Sequence, residues 1–190
     1  MNRYLLLYFC VLLFMPIIDT TLIRARRRVA APGRVIERRS LFVLWLCIGS
    51  GMGIAAGLKK ITAARIGLAS PVIAVAAVAL MLAGMIVRWA TMLKLGGYFT
   101  PHVEVGGGQA LVTDGVFRFV RHPAYAGILL VCAGIGLTFE NWLSLAAAMA
   151  FAGTGVANRV RIEEAALRGH FGPAYEEYAR HTKRFLPFIL

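Results

Sequence analysis

The chain has 190 residues, of which 59% are hydrophobic, and its mean hydropathy is +0.70. These values are typical of a protein that crosses a membrane several times, and they exclude an ordinary soluble enzyme. The net charge is +12, but the densest basic block, Arg24–Arg39, adjoins an apolar run and lacks interleaved aromatic residues. Attraction to anionic lipid head groups explains that block better than nucleic-acid binding, so we expect membrane lipids and no nucleic acid as partners.

Five apolar runs predict an all-α, polytopic membrane protein. The first run ends at a charged block and no small-residue cleavage site follows it, which favours a retained helix over a signal peptide. The last two runs have sixteen residues each, about 24 Å at a rise of about 1.5 Å per residue, and predict a short hairpin that turns at Glu140-Asn141. The predicted membrane helices are Tyr4–Ile23, Leu41–Leu58, Ala69–Leu93, Ala124–Phe139 and Trp142–Ala157.

No repeat and no long linker interrupts these runs, so we expect one membrane domain over residues 1–190. Within it, residues 1–93 supply three helices, and residues 94–190 hold the polar motifs. The three cysteines fall in three different apolar runs without CxxC spacing, and we predict neither a disulfide nor a metal site.

The distribution of lysine and arginine predicts the orientation. Sixteen of the 21 lie in three segments, 24–39, 94–121 and the residues after Ala157, which five crossings place on one side. The positive-inside rule makes that side cytoplasmic. We therefore expect the amino terminus outside and the carboxyl terminus and all conspicuous polar motifs in the cytoplasm, in a bacterial inner membrane.

The start of the fourth predicted helix carries the first candidate site. Pro123 suits the first turn of a helix, which places His122 at about the N-cap and Tyr125 one turn inside. Unpaired amides at this helix start, together with Arg121, would form an electropositive corner suited to a carboxylate or phosphate. A histidine at this position is also compatible with a plain capping role.

The end of the fifth predicted helix carries the second candidate site. Arg159 and Glu163 stand four residues apart and share a helical face, as do Glu164 and Arg168. Interfacial salt bridges are the simplest interpretation of such pairs. Two adjacent acids beside a membrane segment are nevertheless costly, and ionisable groups there are candidates for function.

From Gly97 to Leu190 the chain resembles the integral-membrane methyltransferases typified by isoprenylcysteine carboxyl methyltransferase, to which phosphatidylethanolamine N-methyltransferases are related. The matching residues keep the order and spacing of the family motifs, whereas the first three helices show only generic hydrophobicity. The matching residues are His102, Leu111-Val112-Thr113-Asp114-Gly115-Val116-Phe117, Arg121-His122-Pro123-Ala124-Tyr125-Ala126-Gly127, Arg159, Glu163-Glu164-Ala165-Ala166-Leu167, Phe171-Gly172-Pro173-Ala174-Tyr175-Glu176-Glu177-Tyr178 and Arg184-Phe185-Leu186-Pro187-Phe188-Ile189.

The resemblance implies an S-adenosylmethionine-dependent methyltransferase whose core is residues 94–190. It implies a cytoplasmic cofactor pocket, a substrate tunnel open to lipid, and a helical lid after Glu164. Arg159 would hold an anionic group such as a substrate carboxylate, and with Glu163 it forms the expected catalytic pair. The expected cofactor-binding residues are His102, Gln109, Leu111, Val112, Arg121, His122, Tyr125, Gly127, Glu163 and Glu164.

The expected reaction is methyl transfer to a lipophilic, membrane-embedded or prenylated acceptor, with a carboxylate favoured as in isoprenylcysteine O-methylation. Gln109-Ala110 departs from a histidine found just before Leu-Val-Thr in the eukaryotic enzymes, which leaves the acceptor open. The alternatives are methylation of a phospholipid amine or another small lipophile, a membrane scaffold, and a small transporter. Against transport, the charged motifs cluster on one side and not at the midplane.

Overall fold

The computed structural model describes residues 15–25, 34–100, 103–105, 108 and 110–185, and this part of the chain is predominantly helical. The helical class predicted from the apolar runs is therefore confirmed. The helices are α1 (residues 15–25), α2 (Arg39–Leu58), α3 (Ser70–Leu95), α4 (Pro123–Leu137), α5 (Trp142–Phe171) and α6 (Pro173–His181).

Helices α2 and α3 have the length and composition of membrane spans. The two stretches that qualify are Arg39–Leu58 and Ser70–Tyr98, and α4 is apolar but shorter. Large apolar side chains on both helices face outward: Phe42 is 69% exposed and Val75 is 71% exposed. Such side chains are stable against lipid tails. The number of crossings and their orientation stay predictions, and most of the first predicted span lies outside the described residues.

Helices α3 and α4 pack backbone against backbone at small residues. A Cβ atom at Gly127 would lie 2.5 Å from the carbonyl oxygen of Gly84, and one at Gly134 would lie 2.6 Å from that of Ala77. Glycine at these positions permits the close approach that drives helix association in membranes. The contact fixes the position at which α4 starts along the length of α3.

Helices α2 and α5 form the second long contact. Leu44 of α2 joins Ile128 of α4 and Val156 of α5 in one buried apolar cluster. The Ser144 hydroxyl of α5 donates a hydrogen bond to the Ala55 carbonyl of α2 at 2.7 Å, which satisfies a hydroxyl that is fully buried. The core therefore lies between α2, α4 and α5, with α3 on the other side of α4.

The connection between α4 and α5 turns where the sequence predicted it. Glu140 has φ of +55°, a conformation that non-glycine residues seldom adopt. The Asn141 side chain accepts a hydrogen bond from the Ser144 amide at 3.0 Å and caps α5. The apolar part of α5 ends near Ala157, but the helix itself continues to Phe171. This second helix of the predicted hairpin is thus 30 residues long, and its polar half extends away from the apolar part.

A short antiparallel ribbon was not predicted. Strand β1 (Arg34–Glu37) pairs with β2 (Val103–Val105), with Arg34 opposite Val105. The ribbon ties the segment before α2 to the loop after α3. Beyond α6, Lys183 pairs with Val120 in a parallel bridge, which returns the tail to the start of α4.

Candidate functional site

One cavity of about 610 Å³ lies between the helices. Its polar end is formed by side chains at the start of α4 and in the polar half of α5, and its apolar walls include Leu44 of α2 and Ile128 of α4. Trp45, which also lines the cavity, is 55% exposed on the outer face of α2. A volume of this size suits a small molecule or a cofactor.

Tyr125 bridges the two charged groups of the polar end. Its hydroxyl donates a hydrogen bond to Glu163 Oε2 at 2.7 Å and accepts one from Arg159 Nε at 3.1 Å. The prediction that Arg159 and Glu163 share a helical face agrees with this arrangement. A phenol thus separates a carboxylate from a guanidinium, and all three side chains line the cavity.

Arg159 is only 3% exposed and is held from a second side by α2. Its Nη1 donates a hydrogen bond to the Ser40 hydroxyl at 2.6 Å, and the Ser40 amide donates one to Glu37 Oε2 at 2.8 Å. Burial acts to raise the pKa of Glu37, but the hydrogen bonds from Ser40 and Arg39 and the charge of Arg159 outweigh it and lower the pKa. Hydroxyl groups on two different helices therefore fix the guanidinium at the cavity wall.

Behind this wall lies the Glu164 cluster, which we define as Glu164, Arg121, His122, Arg168 and Arg184. The Glu164 side chain is 1% exposed, and its Oε1 lies 3.3 Å from both Arg121 Nε and His122 Nε2. Arg184 Nη2 and Arg168 Nη2 reach Oε2 at 3.0 Å and 3.3 Å. Burial acts to raise the pKa of Glu164, but the hydrogen bonds and charges of His122 and Arg184 dominate and hold it far below its usual range.

The tail after α6 occupies the predicted electropositive corner. The backbone amides of Arg121 and His122 donate to the carbonyls of Lys183 and Arg184 at 2.7 Å and 3.0 Å. Arg121 Nη1 donates to the carbonyls of Ala179, at 2.7 Å, and Thr182. The amides of Arg121 and His122 and Nη1 of Arg121 are therefore satisfied by main chain, and Arg121 holds the end of α6 against the start of α4.

A buried ion pair lines the opposite wall of the cavity. Arg88 Nε of α3 lies 2.7 Å from Asp19 Oδ2 of α1, and Trp89 Nε1 donates to Asp19 Oδ1 at 2.9 Å. The Arg88 guanidinium carbon also lies 5.5 Å from the centre of the Phe99 ring. A charged pair among apolar helices is stable only when both partners are satisfied in this way. It pins α1 to α3.

The structure divides the predicted site residues into three groups. Those that line the cavity are Leu111, Val112, Arg121, His122, Tyr125, Arg159 and Glu163. Glu164 and Gly127 do not line it: Glu164 is enclosed by its cluster, and Gly127 is enclosed by the α3–α4 contact. His102 and Gln109 lie outside the described residues. The described residues contain no group of three metal-ligating side chains.

Four residues at or beside the cavity were missed from the sequence: Asp19, Ser40, Tyr175 and Arg184. A signal existed for Asp19, because it is the single acid in the first three apolar runs and Arg88 there needs a partner. Ser40 carries no such signal, since its role depends on the packing of α2 against α5. Arg184 was part of a family motif, but its ion pair with Glu164 depends on the return of the tail.

Comparisons with known proteins agree with the family resemblance. Residues 77–169 match the model of the isoprenylcysteine carboxyl methyltransferase family. A probable protein-S-isoprenylcysteine O-methyltransferase of rice (Oryza sativa subsp. indica) is 33% identical over 112 residues, which cover 58% of this chain and 59% of that protein. The protein-S-isoprenylcysteine O-methyltransferase of Schizosaccharomyces pombe is 30% identical over 108 residues, which cover 56% of this chain and 46% of that protein.

The chain thus spans about three fifths of the length of the rice relative. Among solved structures, the eukaryotic intramembrane Ras methyltransferase, isoprenylcysteine carboxyl methyltransferase, aligns with a TM-score of 0.58 and 28% identity, over 62% of this chain and 43% of that one. The matched segment contains α4 and nearly all of α5, which hold Tyr125, Arg159 and Glu163. Through residues 77–169, this chain is therefore similar to the isoprenylcysteine carboxyl methyltransferase family.

Proposed function

We propose that this protein transfers a methyl group from S-adenosylmethionine to the carboxylate of a lipophilic, prenylated acceptor in the membrane. The observation that carries the proposal is a cavity that joins the Tyr125–Arg159–Glu163 network to apolar walls on α2 and α4. A charged reactant and a lipid-like one can meet only where both kinds of wall are present. Relatives named protein-S-isoprenylcysteine O-methyltransferase support this choice.

The residues of the polar end fit the proposed cofactor. S-adenosylmethionine carries a sulfonium, an amino-acid end with both charges, and an apolar adenine, and when bound it supplies an electrophilic methyl group. The Glu163 carboxylate suits the cationic groups, whereas Leu111 and Val112 offer an apolar surface beside the adenine. His122 and Tyr125 complete the contacts. The family resemblance adds His102 and Gln109.

Within this proposal, Glu164 acts as a positioning residue. It does not line the cavity, but it holds Arg121 and His122, which do. Arg121 in turn holds the end of α6, so that α6 and the tail form the proposed lid. The lid would thus cover the polar end of the cavity, which Tyr175 and Tyr178 of α6 line.

The acceptor would enter from the bilayer. Leu44, Ile48 and Ile128 supply apolar walls, and the exposed face of Trp45 marks where the cavity approaches the outer surface of α2. Lipid chains and prenyl groups bind such walls through burial of apolar area. The chain's own residues thereby hold the acceptor with its charged end toward Arg159.

Arg159 would bind the acceptor carboxylate and align it for in-line attack. A carboxylate is already ionised, so the reaction needs no general base, and positioning supplies most of the rate. Arginine pairs with a carboxylate through two parallel hydrogen bonds, which lysine cannot do. Arg159→Lys should therefore lower methylation of a prenylcysteine about tenfold to a thousandfold, or about 1.4 to 4 kcal/mol, with cofactor affinity nearly intact.

Full activity of Arg159→Lys on the carboxylate would contradict this role. It would instead favour a phospholipid amine as the acceptor, because an amine does not need a guanidinium partner. Radiolabelled methyl transfer to farnesylcysteine and to phosphatidylethanolamine, measured side by side, distinguishes the two acceptors.

The cofactor is tested most directly by calorimetric binding of S-adenosylhomocysteine to the detergent-purified protein. His122→Ala and Tyr125→Ala should weaken this binding while the fold persists, because both side chains line the polar end. The control is Arg180→Ala, since the Arg180 side chain is 74% exposed on α6. Absence of binding to the unmodified protein would overturn the proposed activity and leave a scaffold or a transporter.

The proposed orientation places the cavity's polar end in the cytoplasm. A reporter inserted between Lys60 and Arg65, in the connection from α2 to α3, should be external, and one fused after Leu190 should be cytoplasmic. Finding both reporters on the same side would contradict the five-helix topology.

A further inference from the structure

Tyr175 of α6 has a buried hydroxyl without a partner. The residue is 1% exposed, and its hydroxyl is the one buried side-chain group in the described residues that makes no hydrogen bond. A buried hydroxyl without a partner is costly, and the great majority of such groups are satisfied. Tyr175 also lines the cavity. A molecule in this cavity can supply the missing partner after a small shift of the side chains that cover the hydroxyl.

Tyr178, one turn further along α6, provides the contrast. Its ring centre lies 6.1 Å from that of Tyr175, and it also lines the cavity. The Tyr178 hydroxyl, however, donates a hydrogen bond to the Phe117 carbonyl at 2.8 Å and thereby fastens α6 to the loop before α4. Two tyrosines on one helix thus differ in one respect: the first lacks a protein partner and the second has one.

The groups around Tyr175 keep its hydroxyl a hydrogen-bond donor. The Arg168 guanidinium carbon lies 5.9 Å from the centre of its ring, and the charges of Glu164, Arg121, Glu163 and Arg168 act on its hydroxyl. Carboxylates and guanidinium groups thus both surround the hydroxyl, and Arg168 is itself paired with Glu176 at 3.0 Å. Burial and the charge of Glu164 raise the pKa of Tyr175, which keeps the hydroxyl protonated and able to donate.

We infer that Tyr175 binds the cofactor by donating its hydroxyl hydrogen bond to the carboxylate of the cofactor's amino-acid end. The inference rests on the proposed use of S-adenosylmethionine. The carboxylate is the strongest hydrogen-bond acceptor that this cofactor offers, and hydrogen bonds to ionised acceptors are about twice as strong as neutral ones. It also places the amino-acid end against α6, away from the apolar walls of α2. A helix of the lid would then bind the amino-acid end of the cofactor, which takes no part in the reaction.

The test compares two ligands by calorimetry on the detergent-purified protein. S-adenosylhomocysteine has the amino-acid end, whereas 5′-methylthioadenosine keeps the adenosine and the thioether but lacks that end. Tyr175→Phe should weaken binding of S-adenosylhomocysteine about tenfold to a hundredfold and change that of 5′-methylthioadenosine less than about twofold. Tyr178→Phe is the matched control, which should lower thermal stability without this difference between the ligands.

Thermal stability without ligand provides an independent readout. Tyr175→Phe should leave the melting temperature unchanged or raise it, because the substitution removes a buried hydroxyl that has no partner. Equal loss of affinity for both ligands, or no loss for either, would overturn the role of Tyr175 while the proposed activity stands. If the unmodified protein fails to bind S-adenosylhomocysteine, the proposed activity and this inference fall together.

Discussion

Replacing Glu164 by glutamine removes the negative charge at the centre of the Glu164 cluster and keeps the shape of the side chain. Arg121 and His122 are buried partners at 3.3 Å, and hydrogen bonds to a charged group contribute about 1.5–3 kcal/mol each. Arg168 and Arg184 are 42% and 53% exposed, so solvent reduces their share to about 1 kcal/mol or less each. Loss of one partner from a buried ion pair costs about 3–5 kcal/mol, which we take as the expected loss.

For a chain of this length, 1 kcal/mol corresponds to about 2–4 °C in melting temperature, so Glu164→Gln should melt about 6–20 °C lower. The assay is thermal unfolding in detergent, followed by circular dichroism. Glu177→Gln is the control, because Glu177 pairs with Arg180 and His181 on the exposed face of α6. Equal melting temperatures for the two variants would refute the view that the cluster holds the tail and α6 in place.

Three further predictions concern pH and packing. Glu164 has a folded-state pKa below its ordinary value of 4.5, so its stabilisation is complete above pH 4.5 and declines as the pH falls toward the folded pKa. The difference in melting temperature between the unmodified protein and Glu164→Gln should therefore narrow as the pH falls below 4.5, and a difference that widens in that range would contradict this sign. Gly134→Ala should destabilise the protein by about 1–3 kcal/mol, because the new Cβ would meet the Ala77 carbonyl at 2.6 Å. The control is Gly53→Ala, which has nothing within 4 Å and should be neutral or stabilising. Equal changes in the free energy of unfolding for the two variants, measured by chemical denaturation, would argue against the α3–α4 contact. Asp19→Ala should lower the free energy of unfolding by about 3–5 kcal/mol in the same measurement, because it leaves Arg88 buried and unpaired. The control is Asp114→Ala, because the ion pair of Asp114 with Lys94 is exposed. A loss for Asp19→Ala no greater than that of the control would show that α1 is held by other contacts.

The apolar runs predicted helix positions well where a run and a helix end together. Helices α2 and α3 begin and end within two residues of the predicted runs, because both elements are apolar over their whole length. The length of α5 was not predictable in this way, because its apolar run ends near Ala157 whereas its backbone hydrogen bonds continue to Phe171. Arginine, glutamate, alanine and leucine after that point all favour a helix, which stops only at Gly172, with φ of +52°, before Pro173.

The site was predictable where its parts are local. Pro123 fixed the start of α4, and the spacing of Arg159 and Glu163 placed both on one face. The contacts between distant segments were not predictable. No pattern in the sequence links Tyr125 to Arg159 or Arg184 to Glu164, because those distances depend on how α4, α5 and the tail pack. The sequence therefore identified the motif residues but not their contacts. Glu164, which was expected to bind the cofactor, is instead the centre of an ion cluster.

The return of the tail to α4 has a consequence for the order of events during synthesis. Arg184 follows Glu164 by twenty residues, about 1–4 s at about 5–20 residues per second on the ribosome. At the start of that interval α4 and α5 as far as Glu164 are already made, while the amides of Arg121 and His122 still lack the carbonyls of Lys183 and Arg184. The charged end of the cavity is thus completed after its apolar helices have been synthesised. In the predicted topology, membrane insertion would not have to accommodate a finished polar pocket, and this last step of folding would take place at the membrane surface, where water can hydrate the unpaired groups.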